Sequence, residues 1–331
     1  MMSFLIESDW ITPQLKLLLE LQHFRDLLPN FINELFLSIT TVGEFFLPTL
    51  VGLIIFWCIN SKKGISLLFL IFMNIFVSQF LKMLACVYRP WVLDNRITPL
   101  PKALLHSGGY SFPSGHTTMA TSFCGGLVYL FNKYKLVSFS LVFLILLVGF
   151  SRMYLGVHTP QDILTGLIIG VVLVFIFPKY VDYLEEKRTR YLWFILGFNF
   201  SIALIFLVIL NKSYPIDYVN GKVLVEPLKA IYNSIVCYGL TIGLANGLAL
   251  SRLLNPFDAK SGTKLTKIFR AIIGAIIYYL LFQYIIQRYC FAAMHDFKLT
   301  IILTSFVGFA VTFIYPLVFT RIEKKVFHDN I

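Results

Sequence analysis

The segment from Lys82 to Asp162 contains three polar clusters, which read Lys82-(x)6-Arg89-Pro90, Pro113-Ser114-Gly115-His116 and Ser151-Arg152-(x)5-His158-(x)3-Asp162. Each cluster borders or interrupts an apolar segment long enough to cross a bilayer. We therefore expect the charged groups of all three clusters to lie at helix ends, on one membrane surface.

The composition is that of an integral membrane protein. Hydrophobic residues occupy 58% of the 331 positions and charged residues 14%, whereas soluble domains carry about a quarter charged residues. Apolar segments recur along the whole sequence and are too long for the core of a soluble protein. The predicted fold is an all-α polytopic transmembrane helical bundle in a lipid bilayer.

Hydropathy predicts about nine spans. They lie near residues 33–58, 65–86, 115–132, 137–157, 161–178, 191–210, 228–250, 268–288 and 299–320. Residues 11–28 alternate leucines with charged side chains, which predicts an amphipathic helix at the membrane interface. The predicted organisation is an N-terminal interfacial helix at 1–30, a membrane core with the polar clusters at 31–180, and additional C-terminal transmembrane helices at 181–331.

The charge distribution predicts the topology. The net charge is +11, but the Lys and Arg residues fall in short loops between spans, where they mark the cytoplasmic side. Nucleic acid is therefore not the expected partner. The charge pattern places the N-terminus and the three clusters on the non-cytoplasmic side of a bacterial inner membrane or an organelle membrane.

His158 and Asp162 are the first candidates for catalysis. Their spacing of four places them on one helical face, with Thr159 and Pro160 as helix-start residues. A carboxylate bonded to one imidazole nitrogen fixes the tautomer and leaves the other nitrogen as a base or nucleophile. His158 is the predicted nucleophile. For the pair taken alone, a simple helix cap is the better interpretation.

The run from Pro113 to His116 leads directly into an apolar helix. Free N–H groups and the helix dipole favour an anion at such a terminus. Gly115 would allow the backbone close to phosphoryl oxygens, and His116 could protonate a departing oxygen. The alternative is an ordinary Ser114 N-cap beside a surface histidine.

Three cations, Lys82, Arg89 and Arg152, lie at span ends. Three positive donors directed at one phosphoryl group would stabilise the charge of an in-line displacement. Considered singly, each cation could instead extend its head to the membrane interface.

Together, the three clusters resemble the signatures of the type 2 phosphatidic acid phosphatase superfamily, which includes lipid phosphate phosphatases, prenyl diphosphate phosphatases and glucose-6-phosphatases. The signatures cover about a quarter of the chain. The resemblance implies that His158 forms a phosphohistidine, that Asp162 orients it, and that His116 is the general acid. It implies phosphate binding by Lys82, Arg89, Ser114, Gly115 and Arg152.

The resemblance implies an acid-phosphatase-like phosphoric monoester hydrolase that needs neither metal nor cofactor. The expected substrate is a phosphomonoester or diphosphate of a lipid, such as phosphatidic acid or polyprenyl diphosphate, attacked at the non-cytoplasmic face. The nine-span layout and the run at 89–94 resemble the glucose-6-phosphatase branch, so a sugar phosphate is the alternative. A membrane phosphotransferase and a non-enzymatic anion transporter also remain open.

Glu44 is a further acid within a predicted span. Such a group has a functional interpretation by default, here a contact with a substrate headgroup, and a structural pairing with Lys82 is the alternative. Only Glu34, Glu44 and Asp162 among the seventeen carboxylates lie at or within predicted spans. These are too few for a two-metal site.

Overall fold

The structure is a computed structural model that describes residues 11–105, 107–219, 222–290 and 296–328. The first ten residues of the predicted interfacial segment 1–30 lie outside this part. The described helices are α1 (Thr12–Asp26), α2 (Asn30–Thr40), α3 (Phe46–Ile54), α4 (Ser61–Ala85), α5 (Pro90–Leu93), α6 (Pro101–Leu104), α7 (Gly115–Leu130), α8 (Lys135–Tyr154), α9 (Pro160–Glu186), α10 (Arg190–Asn211), α11 (Pro227–Leu254), α12 (Lys264–Leu281), α13 (Phe297–Phe309) and α14 (Tyr315–His328).

Short irregular elements accompany these helices. A 3₁₀ turn covers Thr41–Gly43, and π-helical turns cover Ile55–Ile59, Phe282–Cys290 and Ala310–Ile314. Two strands, β1 (Tyr218–Val219) and β2 (Lys222–Val223), pair antiparallel in the connection between α10 and α11. Apart from this ribbon, the described residues are helical or irregular, which confirms the predicted helical fold class.

In the described part of the chain, seven helical segments are long and apolar enough to cross a membrane, and some of them consist of two helices joined across a turn. The helical segments 30–43 and 46–59 are bent relative to each other, and counting them together as one span gives eight at most. The prediction of nine spans is therefore not confirmed. The first predicted span is interrupted between Gly43 and Phe46. The third predicted span is α7, whose 16 residues are fewer than the roughly 20 that a bilayer crossing needs.

The helix predicted before the first span is present as α1. It is not a separate surface helix, because Leu15 and Leu18 are buried. Gln22 accepts a hydrogen bond from the Thr98 N–H at 2.7 Å, and Arg25 donates to the Thr98 carbonyl at 2.9 Å. Helix α1 thus packs on the loop before α6, and its location at the membrane interface stays a prediction.

The contacts divide the chain into two units that are both discontinuous. The first takes the described residues of Met1–Glu44, Val77–Leu173 and Lys212–Ile231, and the second takes those of Phe45–Phe76, Val174–Asn211 and Tyr232–Ile331. Hydropathy shows where helices are and not which helices pack together, so it predicts segments along the chain and not these packing units. The predicted segments 1–30, 31–180 and 181–331 stay a prediction.

In the first unit, α9 lies directly on α7. A Cβ atom added at Gly166 would lie 3.0 Å from the Ser114 carbonyl oxygen, and one added at Gly170 would overlap Thr121. Small residues four apart allow helix backbones to approach closely in membranes. The Ser114 N–H donates to the Asp162 carbonyl at 3.1 Å. This packing brings the starts of the two helices together.

The connection between α10 and α11 also belongs to the first unit. The Lys212 ammonium donates to the carbonyls of Met83, at 2.8 Å, and Leu84. The Tyr88 hydroxyl donates to Asp217 Oδ2 at 2.6 Å. A cation at a helix C-terminus satisfies carbonyls that lack helical partners. The connection therefore stabilises the end of α4 and the segment that follows it.

The second unit is held by a buried aromatic cluster and by polar pairs between helices. The Trp57 indole donates to the Val311 carbonyl at 3.1 Å. Arg252 makes two hydrogen bonds to Glu185, at 2.8 and 2.6 Å. Ring centroids lie 4.6–5.7 Å apart in neighbouring pairs among Phe69, Phe72, Phe194 and Phe198.

Candidate active site

Asp162 both caps α9 and contacts His158. Its Oδ2 atom accepts from the Thr159 N–H at 3.0 Å, and Thr159 Oγ1 accepts from the Asp162 N–H at 3.4 Å. This reciprocal arrangement is a capping box. The same Oδ2 lies 3.2 Å from His158 Nδ1. Asp162 therefore caps the helix, and its contact with His158 is the geometry that the functional interpretation requires.

The environment of His158 fixes its tautomer. Its Nε2 lies 2.8 Å from Arg89 Nη1. A guanidinium group can only donate hydrogen bonds, so Nε2 is the acceptor and carries no proton. The ring proton is consequently on Nδ1, facing Asp162. His158 thus presents an unprotonated Nε2, which is the form that a nucleophile requires.

The charge state of His158 agrees with this tautomer. The side chain is 1% exposed, and burial is the main reason why its pKa lies well below the ordinary value. The cations Arg89, Lys82 and Arg152 lower the pKa further, because they repel a positive imidazolium. The imidazole is therefore neutral at pH 7.

Arg89 holds the loop around His158 together. It donates to the carbonyls of Gly109 at 3.2 Å, Val157 at 3.0 Å and Gly108 at 3.3 Å, in addition to His158. A buried cation is tolerated only when its donors are satisfied. These contacts fix the planar fork of Arg89 at the imidazole.

Lys82 lies in the last turn of α4 and points at the segment before the Pro113 cluster. Its ammonium donates to the carbonyls of Tyr110 at 3.2 Å and Ser111 at 3.1 Å. A Cβ atom added at Gly115 would lie 3.8 Å from Lys82 Cε. Lys82 is therefore adjacent to the start of α7.

Ser114 is the N-cap of α7 and is fully buried. Its hydroxyl accepts from the Thr117 N–H at 3.4 Å and lies 2.9 Å from Thr117 Oγ1. Gly115 and His116 form the first turn. Gly43 packs against this turn so closely that an added Cβ atom would be 2.6 Å from the His116 carbonyl oxygen.

Arg152 is 1% exposed and is held by two hydroxyl groups. It donates to Thr40 Oγ1 at 3.0 Å and to Ser107 Oγ at 2.9 Å. The charge of Glu44 acts on the Arg152 guanidinium. Glu44 thus lies in the electrostatic environment of Arg152, and its contact with a headgroup and its pairing with Lys82 stay predictions.

The structure brings the predicted residues together within the first unit. His158, Asp162 and Arg89 are in direct contact, and the remaining predicted residues are linked through backbone packing or hydrogen bonds. The sequence analysis missed Thr40, Ser107 and Ser111, the last of which donates from Oγ to Asp162 Oδ2 at 2.5 Å. Hydroxyl residues in helices and glycine-rich loops usually serve local turns, so nothing in their spacing indicated these roles.

Among the described residues, no group of three or more His, Cys, Asp or Glu side chains could hold a metal ion. The carboxylate of Asp162 is committed to a hydroxyl, an N–H and an imidazole. Metal independence stays a prediction, which is tested below.

The apolar helices and the buried histidine, carboxylate and cations fit the class of multi-pass membrane phosphatases. Two family models match the sequence. That of the PAP2 superfamily matches residues 63–186, and that of the PAP2 superfamily phosphatase transmembrane extension matches residues 235–325. The chain belongs to the PAP2 superfamily.

Three relatives show the range of this similarity. Phosphatidylglycerophosphatase B of Bacillus subtilis is 29% identical over 171 residues, covering 48% of this chain and 80% of that protein. The undecaprenyl-diphosphatase BcrC of the same species is 36% identical over 97 residues, covering 29% and 47%. A dihydrosphingosine 1-phosphate phosphatase of Schizosaccharomyces pombe is 31% identical over 169 residues, covering 47% and 39%. The chain thus spans less than half of the last two relatives.

A solved structure was also matched. The crystal structure of a transmembrane PAP2 type phosphatidylglycerolphosphate phosphatase from Bacillus subtilis covers 56% of this chain and 91% of its own, with 27% identity and a TM-score of 0.41.

Proposed function

We propose that the protein hydrolyses the phosphomonoester or diphosphate of a membrane lipid through a phosphohistidine. The observation that carries this proposal is the unprotonated Nε2 of His158 beside Arg89 Nη1, 2.8 Å away. The relatives support a lipid substrate, since their names specify phosphatidylglycerophosphate, undecaprenyl diphosphate and dihydrosphingosine 1-phosphate. Phosphatidic acid is a substrate of the same chemical class.

In the first step, a phosphoryl oxygen of the substrate takes over the hydrogen bond from Arg89 to His158. The Nε2 lone pair is then available and attacks phosphorus. A bond forms between nitrogen and phosphorus, and the bond from phosphorus to the leaving oxygen breaks. His116 gives a proton to that oxygen, so the lipid departs as an alcohol or as a shorter phosphate.

In the second step, His116 is neutral and accepts a proton from water. The resulting hydroxide attacks phosphorus, the nitrogen–phosphorus bond breaks, and Nε2 regains its lone pair. Inorganic phosphate is released. Asp162 accepts the Nδ1–H hydrogen bond throughout and stabilises the positive charge of the phosphorylated imidazole.

The cations Lys82, Arg89 and Arg152 stabilise the charge on the phosphoryl oxygens in both steps. Ser114 and Gly115 add hydroxyl and amide contacts at the start of α7. Glu44, whose charge acts on Arg152, is the proposed contact for a polar headgroup. The loop charges support a reaction at the non-cytoplasmic membrane surface.

The close contact between Gly43 and His116 gives a prediction about the general acid. A methyl group in Gly43→Ala would displace the first turn of α7, and small displacements of catalytic groups are costly, so kcat/KM should fall about 10- to 100-fold. The matched control is Gly197→Ala, because a Cβ atom there meets nothing within 4 Å. Equal activity of the two variants would contradict the proposed placement of His116.

Phosphate release by purified protein in detergent or nanodiscs tests the function directly. The panel comprises phosphatidic acid, phosphatidylglycerophosphate, undecaprenyl diphosphate, sphingoid phosphate and glucose 6-phosphate. We expect release from at least one lipid and faster turnover of lipids than of the sugar phosphate. A preference for glucose 6-phosphate would reverse the substrate assignment, and release from none would remove the enzyme proposal.

Metal independence is tested with the same assay. Orthovanadate resembles the trigonal-bipyramidal phosphoryl group and should inhibit. Activity and inhibition should both persist in the presence of a strong chelator, because the proposed mechanism uses only side chains and water. Activity that is lost with chelator and restored by added magnesium would contradict it.

A further inference from the structure

Ser111 connects the three sequence clusters. It is 1% exposed. Its N–H donates to the Val87 carbonyl at 2.8 Å, and its own carbonyl accepts from the Lys82 ammonium at 3.1 Å. Its hydroxyl donates to Asp162 Oδ2 at 2.5 Å, and Oγ lies 3.3 Å from His158 Nδ1. It stands two residues before the Pro113 cluster.

We propose that Ser111 is a positioning residue, whose hydroxyl holds Asp162 so that His158 keeps its proton on Nδ1 and directs Nε2 at phosphorus. The inference rests on the proposed phosphohistidine mechanism and adds a residue outside the three clusters. Ser111 does not touch the reacting phosphoryl group, and it acts through Asp162.

The hydrogen-bond capacities of the groups support this role. An ionised carboxylate only accepts, and a serine hydroxyl has a single proton to donate. The 2.5 Å separation between Ser111 Oγ and Asp162 Oδ2 is that of a charge-assisted hydrogen bond. With the Thr159 N–H bonded to the same oxygen at 3.0 Å, the carboxylate is held from two sides. It therefore cannot rotate away from the imidazole.

The hydroxyl and the main chain of Ser111 have separable functions. The main-chain carbonyl holds Lys82, which binds phosphate in the proposed mechanism, and this contact does not depend on the side chain. The hydroxyl acts on Asp162, whose negative charge matters most when the phosphorylated imidazole becomes positive. Loss of the hydroxyl should therefore slow the chemical step and leave substrate binding nearly unchanged.

The sharpest test compares Ser111→Thr with Ser111→Val. The two side chains have nearly the same shape, but only threonine keeps the hydroxyl. With a lipid that the wild type hydrolyses, the valine variant should lose about 10- to 100-fold in kcat, which is the effect expected for a hydrogen bond to a charged group. Its KM should stay within about twofold of the wild type. The threonine variant should recover at least about tenfold in kcat over valine.

Two further measurements complete the test. The rate of phosphoenzyme formation after rapid mixing should fall with kcat in the valine variant. Inhibition by orthovanadate should weaken in parallel, because orthovanadate resembles the transition state in which Asp162 stabilises the positive imidazole. Ser122→Ala is the control, because Ser122 is a buried serine of the same unit whose hydroxyl has no hydrogen-bond partner in the described part of the chain. It should have wild-type kinetics.

Equal kcat for the threonine and valine variants would overturn the inference, as would a rise in KM with unchanged kcat. If the valine variant does not fold, Ser111→Ala takes its place with the same expected loss. An inactive wild type would refute the proposed function, whereas an active wild type with an equally active hydroxyl-free variant would refute only the role of Ser111.

Discussion

Replacing His158 by alanine is expected to lower kcat by at least about a thousandfold and to abolish the trapped phosphoenzyme, because the residue supplies the attacking lone pair. The structure gives the reason for this large effect. Nε2 accepts a hydrogen bond from Arg89, and Nδ1 faces Asp162, which leaves the lone pair on Nε2 for the attack. The measurements are phosphate release at saturating substrate and phosphoprotein formation after rapid mixing.

The control for this variant is His23→Ala, in which an exposed histidine of α1 is removed. It should turn over substrate like the wild type. His116→Ala offers an internal comparison, because it should slow the departure of the leaving group but keep the nucleophile. Phosphoenzyme in the His158→Ala variant, or equal and mild losses in both histidine variants, would contradict the assignment of roles.

Replacing Arg89 by lysine should lower kcat/KM about 100- to 1,000-fold, even though the positive charge is retained. Arg89 reaches three carbonyl groups and His158 Nε2 with one planar group. A single ammonium cannot reproduce this geometry. Part of the loss should come from the loop, whose carbonyls at Gly108 and Gly109 would lose their donor.

Arg96→Lys is the matched control for Arg89→Lys. Arg96 is on the same loop, is 72% exposed at its side chain, and pairs with Asp94 at 2.7 Å. Lysine keeps the positive charge opposite Asp94, and the exposed head of residue 96 is screened by solvent, so this variant should retain activity and stability. If Arg89→Lys were as active as Arg96→Lys, the guanidinium could not be the group that orients His158.

The sequence predicted the helical membrane fold because apolar composition and segment length depend on residues near one another in the chain. It did not predict the break after Gly43 or the short length of α7. Both features lie where Gly43 packs on the His116 backbone, which is a contact between segments that are distant in the sequence. Hydropathy averages over a window and does not register such contacts.

The sequence likewise predicted some residues of the candidate site and missed others. The residues with unusual chemistry, such as His158 and Arg152, were evident because cations and imidazoles at span ends are costly without a function. Their supporting hydroxyls were not evident, because Ser107 and Thr40 are ordinary residues until Arg152 is seen to donate to both. The predicted roles of the cluster residues thus came from the resemblance of the three combined clusters to a known family, whereas the roles of their partners required coordinates.

The discontinuity of the first unit has a consequence for biosynthesis. Lys212 and Asp217 come after the PAP2 match at 63–186, yet they bind the end of α4 and Tyr88. During translation the proposed phosphate-binding segment therefore emerges long before the residues that contact it. A nascent polypeptide arrested soon after α9 would lack these contacts, so the end of α4 and Tyr88 have these partners only once the chain has been extended beyond position 217.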